Sequence, residues 1–102
     1  MKSKKINKYL ELLKSENEKL LKFLKAKFPM FHNSNFFFRD LQYGIRSFLE
    51  KKDIDVSYHQ AGMLAAEVSN ELVDKGIFVK INDQSWKLNY PEFTTKTPGD
   101  PL

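Results

Sequence analysis

Few side chains in this sequence combine a reactive type with a spacing that chemistry requires. His32 and His59 are the only histidines, and each falls where a connector or a helix cap is expected. Asp53 and Asp55 lie two apart in a loop-like stretch, and two carboxylates are too few oxygen ligands to define a metal site. Glu67 and Glu71 are one helical turn apart. Their helix face also carries Asn70 and Asp74, so it is expected to meet water, where carboxylates make a poor acid–base pair. There is no cysteine, which removes thiolate nucleophiles, disulfides and Cys-based zinc sites together. Four glycines in 102 residues form no phosphate-cradling loop, and no serine-nucleophile motif is present. The expectation is a non-enzymatic chain with no cofactor and no metal.

Binding by charge is the chemistry that remains. Residues 1–27 hold nine lysines against three glutamates, whereas residues 28–102 hold eight basic against ten acidic residues. The net charge of +4 therefore belongs to the first segment and not to the remainder of the chain. The N-terminus is basic, but Lys8, Glu11 and Lys14 break any apolar run behind it, unlike a signal peptide. No apolar stretch is long enough to span a bilayer. A cytoplasmic protein is expected, with no membrane partner.

The elements that position these charges follow from periodicity. Ile6, Tyr9, Leu10, Leu13, Leu20, Leu21, Leu24 and Phe28 recur at threes and fours, which predicts one long helix over 4–28, ended by Pro29. Asn35 to Arg39 contains three consecutive Phe, which fit a short buried strand or the first turn of the next helix. A second helix is expected over Asp40–Lys52, with Leu41, Ile45, Phe48 and Leu49 inward and Gly44 admitting a close neighbour. Asp53 to Val56 reads as a loop. Ser57-Tyr58-His59-Gln60 reads as a capping box for a third helix running to Lys75, and Gly76 stands where a left-handed C-terminal residue is wanted. Residues 77–81 and 85–90 alternate with period two around Asn82-Asp83-Gln84, a β-hairpin. Residues 1–90 thus form one domain, and residues 91–102, with three prolines and no periodicity, are expected to be a disordered tail. Leu64, Val68, Leu72, Ile45, Phe48 and Trp86 are the expected core.

The resulting fold class is mainly α with a small β-hairpin: long helix, short strand, helix, helix, two-stranded wing. Val68 to Phe78 is a helix closing in Leu-x-x-x-Gly-Ile and entering the hairpin that ends in Trp86-Lys87-Leu88. On those residues the chain resembles the winged-helix superfamily over roughly Asn35 to Tyr90. The link from Lys52 to Ser57, with Asp53 and Asp55, departs from the compact turn common there.

That resemblance implies a third helix able to enter the DNA major groove. The residues on its outer face are Gln60, Met63, Glu67, Asn70, Glu71 and Asp74, of which three are acidic and none basic. Phosphates repel such a face, so it is read as a solvated acidic surface or a surface for a protein partner. The cations open to DNA are Arg39 and Arg46 on the second helix and Lys80 and Lys87 on the wing. For the first helix three readings compete: packing on its own domain, self-association, and electrostatic attachment to nucleic acid. Ile6, Leu10, Leu13, Asn17, Leu20 and Leu24 have heptad spacing with a buried-type Asn in the seam, which predicts a homodimer contact. The expected function is a protein-interaction or assembly module that self-associates through the first helix. The alternative is a DNA-binding transcriptional regulator using that helix and the wing.

Overall fold

The computed structural model describes residues 3–93. Four helices and a small antiparallel sheet follow one another as α1 (Ser3–Ser15), α2 (Asn17–Lys27), β1 (Asn35–Phe37), α3 (Phe38–Glu50), α4 (Tyr58–Asp74), β2 (Phe78–Asn82) and β3 (Ser85–Leu88), with a 3-10 turn at Pro91–Phe93. The sheet order is β1-β3-β2. The hairpin of the sequence reading is therefore a three-stranded sheet, because β1 adds antiparallel to β3 with Phe36 opposite Trp86.

The single long helix expected over 4–28 is corrected to two helices. Glu16 leaves the helical region at φ −109°, ψ 33°, and no Gly or Pro causes it. The packing explains the break. α1 packs on α4 whereas α2 packs on α3, and one straight rod cannot follow two different helices. Ser15 and Asn17, both weak helix formers, flank the break, and the Ser15 hydroxyl donates back to the Leu12 carbonyl at 3.0 Å, a bond that bends helices.

The other elements form where local chemistry asks for them. The Phe run divides: Phe36 and Phe37 are strand, and Phe38 opens α3. α4 begins with both halves of the capping box. The Ser57 hydroxyl accepts from the Gln60 amide at 3.0 Å, and the Gln60 side chain accepts from the Ser57 amide at 2.9 Å. α4 ends on Gly76 at φ 78°, with the Ile77 amide donating to the Leu72 carbonyl and the Gly76 amide to that of Val73, a Schellman closure. α3 closes the same way with Asp53 at φ 62°, as Ile54 N donates to Leu49 O and Asp53 N to Glu50 O. Asp tolerates this conformation better than bulkier residues do. The departure in the Lys52–Ser57 link is thus a left-handed aspartate.

The core lies among all four helices and the inner face of the sheet. Leu13, Leu20, Leu24, Leu41, Ile45, Leu49, Leu64, Val68 and Leu72 are fully buried. Phe28, Phe36, Phe78 and Trp86 continue it as a chain of rings with successive centroids 5.8, 6.0 and 4.8 Å apart. All six expected core residues are buried. Gly44 sits where a Cβ would overlap the Leu24 side chain, so its bare backbone lets α2 and α3 meet. The expected disordered tail is corrected over Pro91–Phe93, which form a 3-10 turn. Phe93 is buried, and its carbonyl accepts from the His32 amide at 3.1 Å. The rest of the tail lies outside the described residues.

Candidate functional site

The heptad seam comes first. Ile6, Leu13, Asn17, Leu20 and Leu24 are buried and Leu10 is half-buried in the protomer's own core. Side chains already packed on α3 and α4 are committed to the protomer's own core, and of the six only Leu10 keeps an appreciable exposed surface. The spacing was real, but both uses of an apolar helix face share one pattern.

The residues singled out for chemistry are dispersed. His32 Nδ1 accepts from the Tyr90 amide at 3.1 Å, which makes it a clasp between connector and C-terminal segment. His59 is exposed on the first turn of α4. Among the described residues no three His, Cys, Asp or Glu side chains come together closely enough to hold a metal ion. Among the described residues, two titrating groups depart from their ordinary values. The hydrogen bond from Lys52, 2.8 Å away, holds the Glu16 carboxyl below the usual glutamate range. Burial, aided by Glu92, pushes the Tyr90 phenol up. Glu16 lines an open hollow with Lys14, Ser15, Lys19 and Lys75, where the Ser15 hydroxyl donates to the Leu12 carbonyl and no histidine among the lining residues stands as its base. No helix among the described residues is long and apolar enough to cross a membrane.

Two surfaces do have organisation. The first is the free side of the sheet. β2 is an edge strand, and Val79 and Ile81 on it are about half exposed at 47% and 50%. Antiparallel pairing turns successive N–H and C=O groups alternately toward the partner and away. Asn89 N donates to Ile77 O at 2.7 Å, which sets the phase. Val79 therefore pairs toward β3, while Phe78 and Lys80 turn their backbone groups to the open edge. Beside this edge runs a hollow of about 270 Å³ between α4 and the hairpin, lined by Ala66, Asn70 and Val73 on one side and Lys80, Asn82 and Trp86 on the other.

The partner surface expected on the third helix is split by this arrangement. Glu67, Asn70 and Asp74 are exposed. Gln60, Met63 and Glu71 are half-buried: Gln60 is held in the capping box, and Glu71 lies 3.6 Å from Lys75. The exposed three border the hollow or lie next to it on α4.

The second surface is the outer face of α3 with the adjoining flank of α2. Arg39, Tyr43 and Arg46 recur at four and three and are exposed. Next to them a hollow of about 540 Å³ separates the two helices, lined by Phe23, Ala26, Lys27, Tyr43, Ser47, Glu50 and Lys51. The four cations named from the sequence do not form one patch. Arg39 and Arg46 share α3, but Lys87 lies across from Val79 and Lys80 across from Trp86 in the β2–β3 ladder, so the two lysines point to opposite faces of the sheet. Lys80 also pairs with Asp83 at 3.4 Å.

Sequence reasoning missed Val79, Ile81, Tyr43 and Lys27. For Tyr43 a signal was present, since it falls between the two arginines on the same helical face. Lys27 is brought beside it only by the packing of α2 on α3.

No protein-family model, curated protein or solved structure matches this chain.

Proposed function

We propose that the chain is a non-enzymatic protein-interaction module on a winged-helix scaffold, with the β2 edge as its docking site. The scaffold reading rests on the order α2, β1, α3, α4 and hairpin, and on β1 completing the sheet beside β3. The docking reading rests on one observation: an edge strand with outward-turned backbone groups carries half-exposed Val79 and Ile81, which do not line the hollow, while Lys80 and Trp86, on the face opposite Val79, do. An extended segment added to such an edge gains main-chain hydrogen bonds, and alternate side chains enter the neighbouring hollow.

The occupant is a segment of a different protein, with alternating apolar residues and basic flanks. Glu67 and Asp74 on the bordering helix favour the basic flanks. A second copy is less suited. Two β2 strands pairing antiparallel about Lys80 would set like charges opposite each other, which destabilises a ladder. Homodimerisation through the α1–α2 seam would require those side chains to leave the core.

The alternative, a DNA-binding regulator using the basic first helix and the wing, has less behind it. The outward residues of α4 are acidic or neutral, and the wing lysines diverge. Such a face adds little to phosphate attraction.

The test is selection of a random peptide library displayed on phage against the immobilised full chain and against a Val79→Glu/Ile81→Glu variant. The expected result is enrichment of alternating apolar peptides on the wild-type chain alone, with the Lys80 amide slowing its hydrogen exchange when such a peptide binds. No enrichment, or the same peptides on both proteins, overturns the reading. A dimer in sedimentation equilibrium that the double variant abolishes would give the edge to a second copy instead.

A further inference from the structure

The α2–α3 face is separate from the β2 edge and has a different chemistry. Both arginines of the chain, Arg39 and Arg46, stand on it. They are seven residues apart, two turns, or about 10 Å along the axis. Tyr43 lies between them and is 51% exposed, so its ring is open to a partner from solvent. Two more cations reach the same face from its sides. Lys27 Nζ is 5.9 Å from the Tyr43 ring centroid and 5.6 Å from that of Phe23, and Lys51 Nζ is also 5.6 Å from Phe23. Glu50 is the one acidic side chain lining the hollow, at its far end from Arg39 along α3. An accessible aromatic ring inside a run of cations, two of them guanidinium groups able to fork onto phosphate oxygens, combines the two features that bind flexible polyanions with flat bases.

We propose that this face binds single-stranded nucleic acid, with Arg39, Arg46, Lys27 and Lys51 holding phosphates and Tyr43 stacking on a base. Base–aromatic stacking and a positive track are the common parts of such sites. A duplex already stacks its bases on each other and offers no free base face to Tyr43. An acidic peptide would satisfy the cations but leaves the ring without a flat partner. The proposal does not depend on the docking role of β2, which lies on another face of the domain.

The test is fluorescence anisotropy of the full chain with a labelled mixed-sequence single-stranded DNA of about twelve nucleotides, in a salt series. Expected is binding that weakens steeply with salt. Arg39→Glu/Arg46→Glu should lower affinity by more than about tenfold, and Tyr43→Ala by at least about fivefold. Lys5→Glu/Lys8→Glu makes the same change in net charge at exposed sites on α1 and should lower it by less than about threefold. Unlabelled oligonucleotide should compete far better than polyglutamate or duplex of equal charge. Equal losses in the two charge variants overturn the site, as does an unaffected Tyr43→Ala, equal competition by polyglutamate, or no binding at low salt. Arg39→Gln/Arg46→Gln repeats the measurement if the Glu pair fails to fold by circular dichroism. Val79→Glu/Ile81→Glu should bind DNA unchanged, which separates this site from the β2 edge.

Discussion

The starts of α2 and α4 pose the same problem and solve it differently. Each helix begins with amides that no preceding turn satisfies. At α4 the solution is local: Ser57 and Gln60 bond each other's backbone across three residues. At α2 there is no side-chain cap. Glu16 turns instead to Lys52 beyond the end of α3, and Asn17 is buried with its amide nitrogen lacking a hydrogen-bond partner among the described residues. The first start is written in four adjacent residues. The second is imposed by what α1 and α2 must lie against, at the cost of an unpaired buried donor.

If packing sets the joint between α1 and α2, the largest effect should come from the leucine just past it. Leu20→Ala should cost about 2–5 kcal/mol in chemical denaturation; a loss under about 1 kcal/mol would mean that the joint is not held by burial. The local side of the contrast is tested at the other end of α4. Gly76→Ala meets nothing within 4 Å but must adopt φ 78°, so a loss of about 1–2 kcal/mol is expected from backbone strain alone. Ser57→Ala should cost about 1 kcal/mol, and the loss should shrink when Gln60 is already replaced by Ala, because the two bonds form one device. The smallest effect concerns Glu16. Its depressed pKa means that the pairing with Lys52 adds stability above the unfolded-state pKa and loses it as pH falls through the folded one. Thermal melts from about pH 6 down to about pH 3 should therefore show wild type losing slightly more stability than Glu16→Gln. Parallel curves would make that ion pair irrelevant to the joint.

The same contrast explains what the sequence could disclose. The capping box, the left-handed Gly76, the core stripe and the α4 boundaries depend on neighbours within a few residues, so periodicity and cap chemistry reach them. The break at Glu16 and the pairing of β1 with β3 depend on residues dozens of positions away. Heptad spacing in α1 and α2 was equally compatible with a coiled coil, because burial against one's own domain and against a copy ask for the same residues. The surfaces were half legible. Period two places Phe37 on the opposite face from Phe36, and its 50% exposure follows. Val79 and Ile81 read as ordinary strand residues until the order β1-β3-β2 left their strand on the outside. Arg39, Tyr43 and Arg46 could be aligned from spacing alone, but Lys27, which joins them from α2, could not.

The way β1 becomes α3 ties the two surfaces together. Phe37 is both the last strand residue and the residue that precedes the helix, and the Phe38 amide donates to the Gln84 carbonyl in the hairpin turn at 2.9 Å. No loop residue separates the sheet from the helix, so there is no hinge between them. A tilt of the hairpin is carried directly into the helix that bears Arg39 and Arg46. The two outer faces of this small domain are the ends of one stiff lever.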